Sequence, residues 1–319
     1  MKKVIVLIFI SLVSLSIFCG EFSINEIINN PDILINIRIP RTLFSLFSGL
    51  SLAICGLLLQ SFFQNPLAGP FVLGIHSGAS IGILSWILFM GLFINISPLL
   101  IQNGLILASI AGTFIVLSLL LLMSRYFKNK SFLIIIGMLI SYAGSSIMNV
   151  FTNVLDAKDL KNFMIWGLGN FERYGIGYAI FFGFVICLVL FFSLNRSNDL
   201  NKILLGENYA RSLGVNIELN RRFLIIASSI LGGVCLSFCG PLVFIGVISP
   251  HLTRLILNEN HHKVLLIYSG LMGAIFSLSS SIIFTVSNGL IPINAFLGLL
   301  GAPILVYLLV KRKTGVVLG

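Results

Sequence analysis

Few residues of this chain could do chemistry, and their spacing says which chemistry to exclude. Ionisable side chains inside apolar stretches mark proton and ion pathways, yet apart from His76, near an inner helix end, none is expected at mid-membrane depth in any span. That counts against a proton- or sodium-driven carrier, and an integral membrane enzyme would need a polar catalytic cluster that the chain also lacks. No Gly-Lys pair occurs anywhere, so the phosphate-binding loop with its reaching lysine is missing. If ATP drives this protein, another chain hydrolyses it. The five cysteines (Cys19, Cys55, Cys187, Cys235, Cys239) form no Cys-x-x-Cys and sit in or at the ends of apolar runs, where a thiol packs as a small hydrophobe. His261 and His262 lie beside Glu259, but neighbours in sequence seldom converge on one metal ion. No resident metal or cofactor is expected.

The elements that carry these residues follow from composition. With 57% hydrophobic residues, 9% charged residues and a mean hydropathy of +1.07, the chain is an integral membrane protein. Apolar stretches near the length that crosses ~30 Å of hydrocarbon recur throughout, without the short alternation of barrel strands. The expected fold is an all-α polytopic bundle of ten spans, at 4–19, 42–63, 70–92, 98–123, 131–152, 174–194, 222–240, 242–257, 264–287 and 292–310. Lys2-Lys3 and the apolar run ending at Phe18-Cys19-Gly20 imitate a signal peptide, but Phe18 is a poor residue before a cleavage site. The run is therefore expected to stay as the first helix.

Loop charges orient the bundle. With the N-terminus inside, Arg38, Arg41, Lys158, Lys161 and Arg173 fall outside and the other fifteen of the 20 basic residues fall inside. The net charge of +10 is thus a topology signal rather than a footprint for nucleic acid. Both termini are expected in the cytoplasm. Residues 21–36 carry Phe22, Ile24, Ile27 and Ile28 in a pattern that suits a short helix on the outer surface. Arg38 and Arg41 run against the charge bias, either as snorkelling anchors of a helix end or as a docking point for carboxylates of an external protein.

Leu200 to Arg222 is the long polar interval between apolar blocks. Within it Gly206-Glu-Asn-Tyr-Ala-Arg-Ser-Leu-Gly214 has the spacing of one short amphipathic helix, with Tyr209 and Leu213 four apart on one face, Glu207 and Arg211 four apart on another, and Gly214 as its stop. It either presents a rigid surface to a soluble partner or is a solvated connection. Gly74, Gly78 and Gly82, and then Gly137, Ser141 and Ser145, recur every four residues, a spacing that lets membrane helices touch. Plain packing explains both series, and a pathway lined by His76, Ser77, Ser141 and Ser145 is the alternative. Gly69-Pro-Phe-Val-Leu-Gly74 echoes Gly240-Pro-Leu-Val-Phe-Ile-Gly246 on opposite faces, as an inverted repeat of spans two to five (42–152) and seven to ten (222–310) would require.

Several ordered motifs carry a family resemblance. Arg38-Ile-Pro-Arg41, Gly56 with Gln60, Asn65-Pro66-Leu67-Ala68, Leu73-Gly74 with Ser77-Gly78-Ala79, and Leu205-Gly206-Glu207 with Ala210-Arg211-Ser212-Leu213-Gly214 occur in sequence. Gly240-Pro241, Phe244-Ile245-Gly246, Pro250-His251-x-x-Arg254, Pro292 and Gly301-Ala302-Pro303 complete them. From about residue 38 to 310 the chain resembles FecCD/BtuC-like permease subunits of type II ABC importers for iron-siderophores, haem and cobalamin. The resemblance implies one permease domain over 1–319, a cytoplasmic coupling region at 195–221, and a location in the prokaryotic inner membrane. It implies a second permease subunit, two ATPase subunits that hold the ATP and Mg, and an extracytoplasmic substrate-binding protein. It makes 206–214 the ATPase contact and Arg38, Arg41 and Arg173 the binding-protein contacts, with an iron chelate as first cargo and cobalamin or an oxyanion as alternatives. The family's Asp and Arg near the outer end of span nine are Ser281 and Thr285 here, and a Gly of span ten is Asn294.

Overall fold

The computed structural model describes residues 1–20, 30–91, 97–126 and 130–313. The expected surface helix at 21–36 lies mostly outside them. Every expected span coincides with a helix: α1 Lys2–Phe18, α2 Ile39–Phe63, α3 Ile75–Met90, α4 Pro98–Tyr126, α5 Lys130–Thr152, α7 Ile176–Asn195, α10 Ile217–Cys239, α11 Ile245–Leu257, α12 His262–Val286 and α13 Ile293–Lys313. Three short helices, α6 Ala157–Gly167, α8 Ser197–Leu204 and α9 Glu207–Ser212, lie between them. No strand occurs among the described residues. Six helices are long and apolar enough to cross a membrane on their own, at 34–63, 99–124, 132–152, 176–195, 217–239 and 262–286, and shorter apolar helices run at 75–90, 245–257 and 293–307. The chain is an all-helical membrane bundle of about ten transmembrane helices.

α2 and α10 form its centre, each about four-fifths buried along its most apolar stretch. α12 and α11 pack on α2, while α4 and α3 pack on α10, and α3 pairs with α4 as α11 pairs with α12. Exchanging residues 42–152 with 222–310 therefore maps each of these pairings onto another.

The third and eighth spans begin later than their apolar runs do, and the reason is local. Pro66 and Pro70 prevent a continuous helix after α2, so residues 64–74 climb as turns: Asn65 Oδ1 accepts from Leu67 N at 3.0 Å, Ile75 N reaches Pro70 O at 3.1 Å, and α3 starts only at Gly74, whose φ is +77°. Residues 240–244 do the same before α11, where the left-handed residue is Phe244 at φ +64°. The two echoing segments, 69–74 and 240–246, meet inside the bundle, the first turn against the start of α11. A Cβ on Gly246 would stand 2.6 Å from Pro70 Cδ, and one on Gly69 would strike Val247. Non-helical backbone at this depth is tolerable because protein surrounds it.

α2 meets α11 and α12 on bare backbone. A Cβ on Gly56 of α2 would collide with the carbonyl of Gly246, and one on Gly49 with that of Gly273 in α12. Each atom of such a Cβ needs space that only separation of the helices provides, so Gly56→Val should cost more than the ~1–3 kcal/mol of ordinary overpacking. Gly177→Ala, with open space around it, should be tolerated. Thermal unfolding of the detergent-purified protein, with membrane yield, checks both; equal stability of the two variants would refute this packing.

Candidate functional site

The interval between α7 and α10 is built as two helices rather than the single one expected. α8 precedes α9, and the break between them falls at Gly206, whose φ of +118° admits no ordinary side chain. α9 is stopped as its sequence requires: Gly214 is left-handed at φ +80°, its N–H donates to Arg211 O at 3.0 Å, and Val215 N donates to Ala210 O at 3.0 Å, which together satisfy the last carbonyls. Ala210 and Val215 are buried beneath the helix, while Tyr209, Arg211 and Leu213 are exposed. With Leu204, Leu205 and Leu219 also exposed, the outer side of α8–α9 is an apolar surface on a polar loop. Glu207 and Arg211 lie four apart, but the carboxylate turns to another helix. Glu207 binds Arg221 of α10 at 2.7 Å, because a six-residue helix bounded by left-handed glycines is held better by a neighbouring helix than by its own last turn.

This pair of helices is tied to the bundle by polar side chains. Gln64 Nε2 donates to Ile203 O at 2.8 Å, and Asn201 Oδ1 receives both the backbone N–H (2.9 Å) and Nδ1 (2.7 Å) of His262. Arg196 stacks over Phe223 at 4.8 Å. Nearby, Arg254 Nη1 donates to Gln60 Oε1 at 2.7 Å, which joins α11 to the last turn of α2.

At the opposite end, Arg38 and Arg41 do not stand out from the surface. Arg38 is 1% exposed and donates to the carbonyls of Ile17 (2.9 Å) and Phe18 (2.8 Å), while Arg41 donates to those of Ser16 (3.3 Å) and Cys19 (2.8 Å). Both guanidiniums serve the open carbonyls at the C-terminus of α1, where a cation is favoured. Arg41 also pairs with Glu172 at 3.4 Å. Arg173 is exposed, lies over the Tyr174 ring at 5.5 Å, and lines a small pocket with Asn162, Phe163 and Trp166 of α6. Of the three, Arg173 alone offers an exposed side chain.

The pathway candidates separate into two groups. Ser77 Oγ donates to Ser141 O at 3.3 Å and Ser141 Oγ to Gly137 O at 2.9 Å, so these two hydroxyls lie in the α3–α5 contact and serve backbone. Ser145 is exposed on α5, one turn further along. His76 lies deeper than its place at a helix start suggests, because the climbing turn carries the start of α3 into the bundle. Its ring stacks between Phe71 at 5.9 Å and Trp166 at 6.1 Å, and Trp166 Nε1 donates to Leu236 O in the last turn of α10.

A model of the FecCD transport family matches residues 4–311. The chain belongs to the FecCD transport family. It is 33% identical to the vitamin B12 import system permease protein BtuC of Salmonella typhi over 278 residues, which cover 86% of this chain and 82% of that one. The corresponding protein of Salmonella newport (strain SL254) shares the same identity and coverage. A solved structure described as an inward-facing conformation of a metal-chelate type ABC transporter superposes with a TM-score of 0.81 at 28% identity, over 96% of this chain and 97% of that one. PsaBC from Streptococcus pneumoniae, solved with a Fab, shares the fold at a TM-score of 0.60 and 14% identity, over 89% and 93% of the two chains.

This FecCD-family chain differs from the sequence expectation in what its departures do. Asn294 Oδ1 accepts from Val243 N at 3.2 Å and its own N–H donates to Leu168 O at 3.2 Å, so it stitches the second turn to the start of α13. Ser281 and Thr285 are buried and joined by Thr285 Oγ1 to Ser281 O at 2.9 Å, which leaves no charge there for a partner. Glu172, Asn201 and His262 were not singled out as partners from sequence, since no local spacing announces a contact that the fold makes. Removing one guanidinium should therefore loosen α1: Arg38→Ala should lower the melting temperature of the isolated protein, by an amount that corresponds to ~1.5–3 kcal/mol for a charged hydrogen-bond donor. An unchanged melting temperature would assign Arg38 to an external partner alone.

Proposed function

We propose that this FecCD-family protein is the membrane permease subunit of a type II ABC importer for a metal chelate, working by alternating access between two permease copies. The exposed apolar face of α9, held rigid by Gly206, the Gly214 stop and the Glu207–Arg221 pair, carries the proposal, since it is the surface on which an ATPase can push. Tyr209, Arg211 and Leu213 are then the seat of an ATPase subunit that holds ATP and Mg, with Ala210 packed beneath them and Glu207 tied to Arg221. The side that bears α8–α9 is cytoplasmic in this reading, both termini lie there, and the protein sits in the prokaryotic inner membrane. The whole of 1–319 acts as one unit, with 42–152 and 222–310 as inverted repeats and 195–221 as the coupling region; the matched helix pairings and the meeting of the two echoing segments support this.

An external binding protein delivers the cargo. With Arg38 and Arg41 buried, Arg173 and Glu172 stand with Lys158 and Lys161 of α6 among the exposed charges on that side, so docking through the two buried arginines requires rearrangement of the first helix. The family resemblance puts an iron chelate, a ferric siderophore or haem, first among cargoes. The likeness to vitamin B12 permeases over most of the chain favours cobalamin as the first to be tried, and the likeness to a metal-chelate transporter supports the wider class.

ATP-driven uptake of radiolabelled cobalamin and of a ferric siderophore into proteoliposomes with the ATPase and binding protein tests cargo and coupling together. One chelate should accumulate, and Leu213→Asp should abolish its uptake and the co-purification of the ATPase at normal permease yield, because a charge is placed in an apolar contact at a cost of several kcal/mol. Gly214→Val should weaken both by straining the left-handed stop. Full uptake by Leu213→Asp would reduce α9 to a solvated connection.

A further inference from the structure

We infer that His262 is a positioning residue that delivers movement of α8–α9 into α2, at the centre of the bundle, and into α12, which packs on it. The inference rests on α9 being the ATPase seat, and it names the route by which force leaves that seat.

His262 is the first residue of α12 and is fully buried. Its ring is held at both ends. Nδ1 lies 2.7 Å from Asn201 Oδ1 of α8, and Nε2 lies 2.6 Å from Ser61 Oγ in the last turn of α2. An amide oxygen that already takes the backbone N–H of His262 can only accept, so Nδ1 carries a proton. Ser61 Oγ, which is also 2.9 Å from Leu57 O, then either gives its proton to Nε2 or receives one from it and passes its own to Leu57. In both arrangements the chain from α2 through the ring to α8 is unbroken.

Asn201 is committed on its other side as well. Its Nδ2 stands 2.9 Å from His261 Nε2, so every polar atom of the amide is engaged with the start of α12. α12 has no side-chain cap of its own from His261. A residue of α8 therefore caps it, and α8 cannot move without exposing an orphan N–H of α12. Gln64 Nε2 to Ile203 O at 2.8 Å fixes the same short helix to the end of α2. Beyond this node α2 and α12 touch through the backbones of Gly49 and Gly273, so displacement that reaches Ser61 and His262 reaches the centre of the molecule.

The test uses the complete importer in liposomes, with permease, ATPase and binding protein, and reads ATP hydrolysed per chelate moved alongside the amount of ATPase bound. His262→Leu removes both polar ends of the ring, Asn201→Ala and Ser61→Ala remove one partner each, and the Asn201→Ala/Ser61→Ala double variant removes both. Each should keep the ATPase bound and hydrolysing while chelate moved per ATP falls by about tenfold, the scale set by one buried polar group left unpaired. The double variant should be no worse than the more severe single one, because a chain already broken loses nothing more. A ratio that stays at the wild-type value, whether or not stability drops, would overturn the inference, as would losses that add. If His262→Leu fails to assemble, Ser61→Ala decides, since it leaves the α12 cap intact. Leu213→Asp, run in parallel, separates the two readings: loss of bound ATPase there confirms the seat independently of the route, and full uptake there removes the seat whatever the ratio.

Discussion

Backbone meeting backbone at the centre of the bundle is the constraint from which the rest of this structure follows. Lipid supplies no hydrophobic drive for helices to associate, so close approach at small residues must do so. Here the approach involves three helices and the first climbing turn at once: Gly56 of α2 lies against Gly246 of α11, Gly49 of α2 against Gly273 of α12, and Pro70 against Gly246. Such turns survive away from water only while protein encloses them. Their burial in turn fixes where α3 and α11 start, and hence how deep His76 lies and which face of α5 remains open.

Much of this was legible in the sequence because membrane helices announce themselves by length and apolarity. All ten spans coincide with helices, and the Gly-Pro echo at 69–74 and 240–246 marks the two segments that meet. The exact starts of the third and eighth spans were not legible, since apolar composition continues through Pro70 to Leu73 and Leu242 to Phe244 although the backbone there is not helical. α6 and α8 were missed for a related reason: at eleven and eight residues they are too short for a periodic signal to stand out from a polar loop.

The site was legible in outline and not in its contacts. The Gly214 stop follows from residue type, and the exposed positions of Tyr209 and Leu213 follow from spacing. The partner of Glu207 does not, because a distance of fourteen residues to Arg221 becomes a contact only when α9 folds back beside α10. Arg38 and Arg41 show the same limit in stronger form. Their charge suggested the surface, but the unsatisfied carbonyls at the end of α1 offered a nearer set of acceptors, and these hold them inside.

What emerges is a transport-family protein with a rigid face on one side and close glycine contacts within. The account therefore assigns energy conversion to a separate subunit. The direct test is ATP hydrolysis by the purified chain, measured alone and after a purified ATPase subunit is added. The account predicts no hydrolysis above that of an unrelated membrane protein until the ATPase is present. Hydrolysis that stays with this chain through successive purification steps would contradict it.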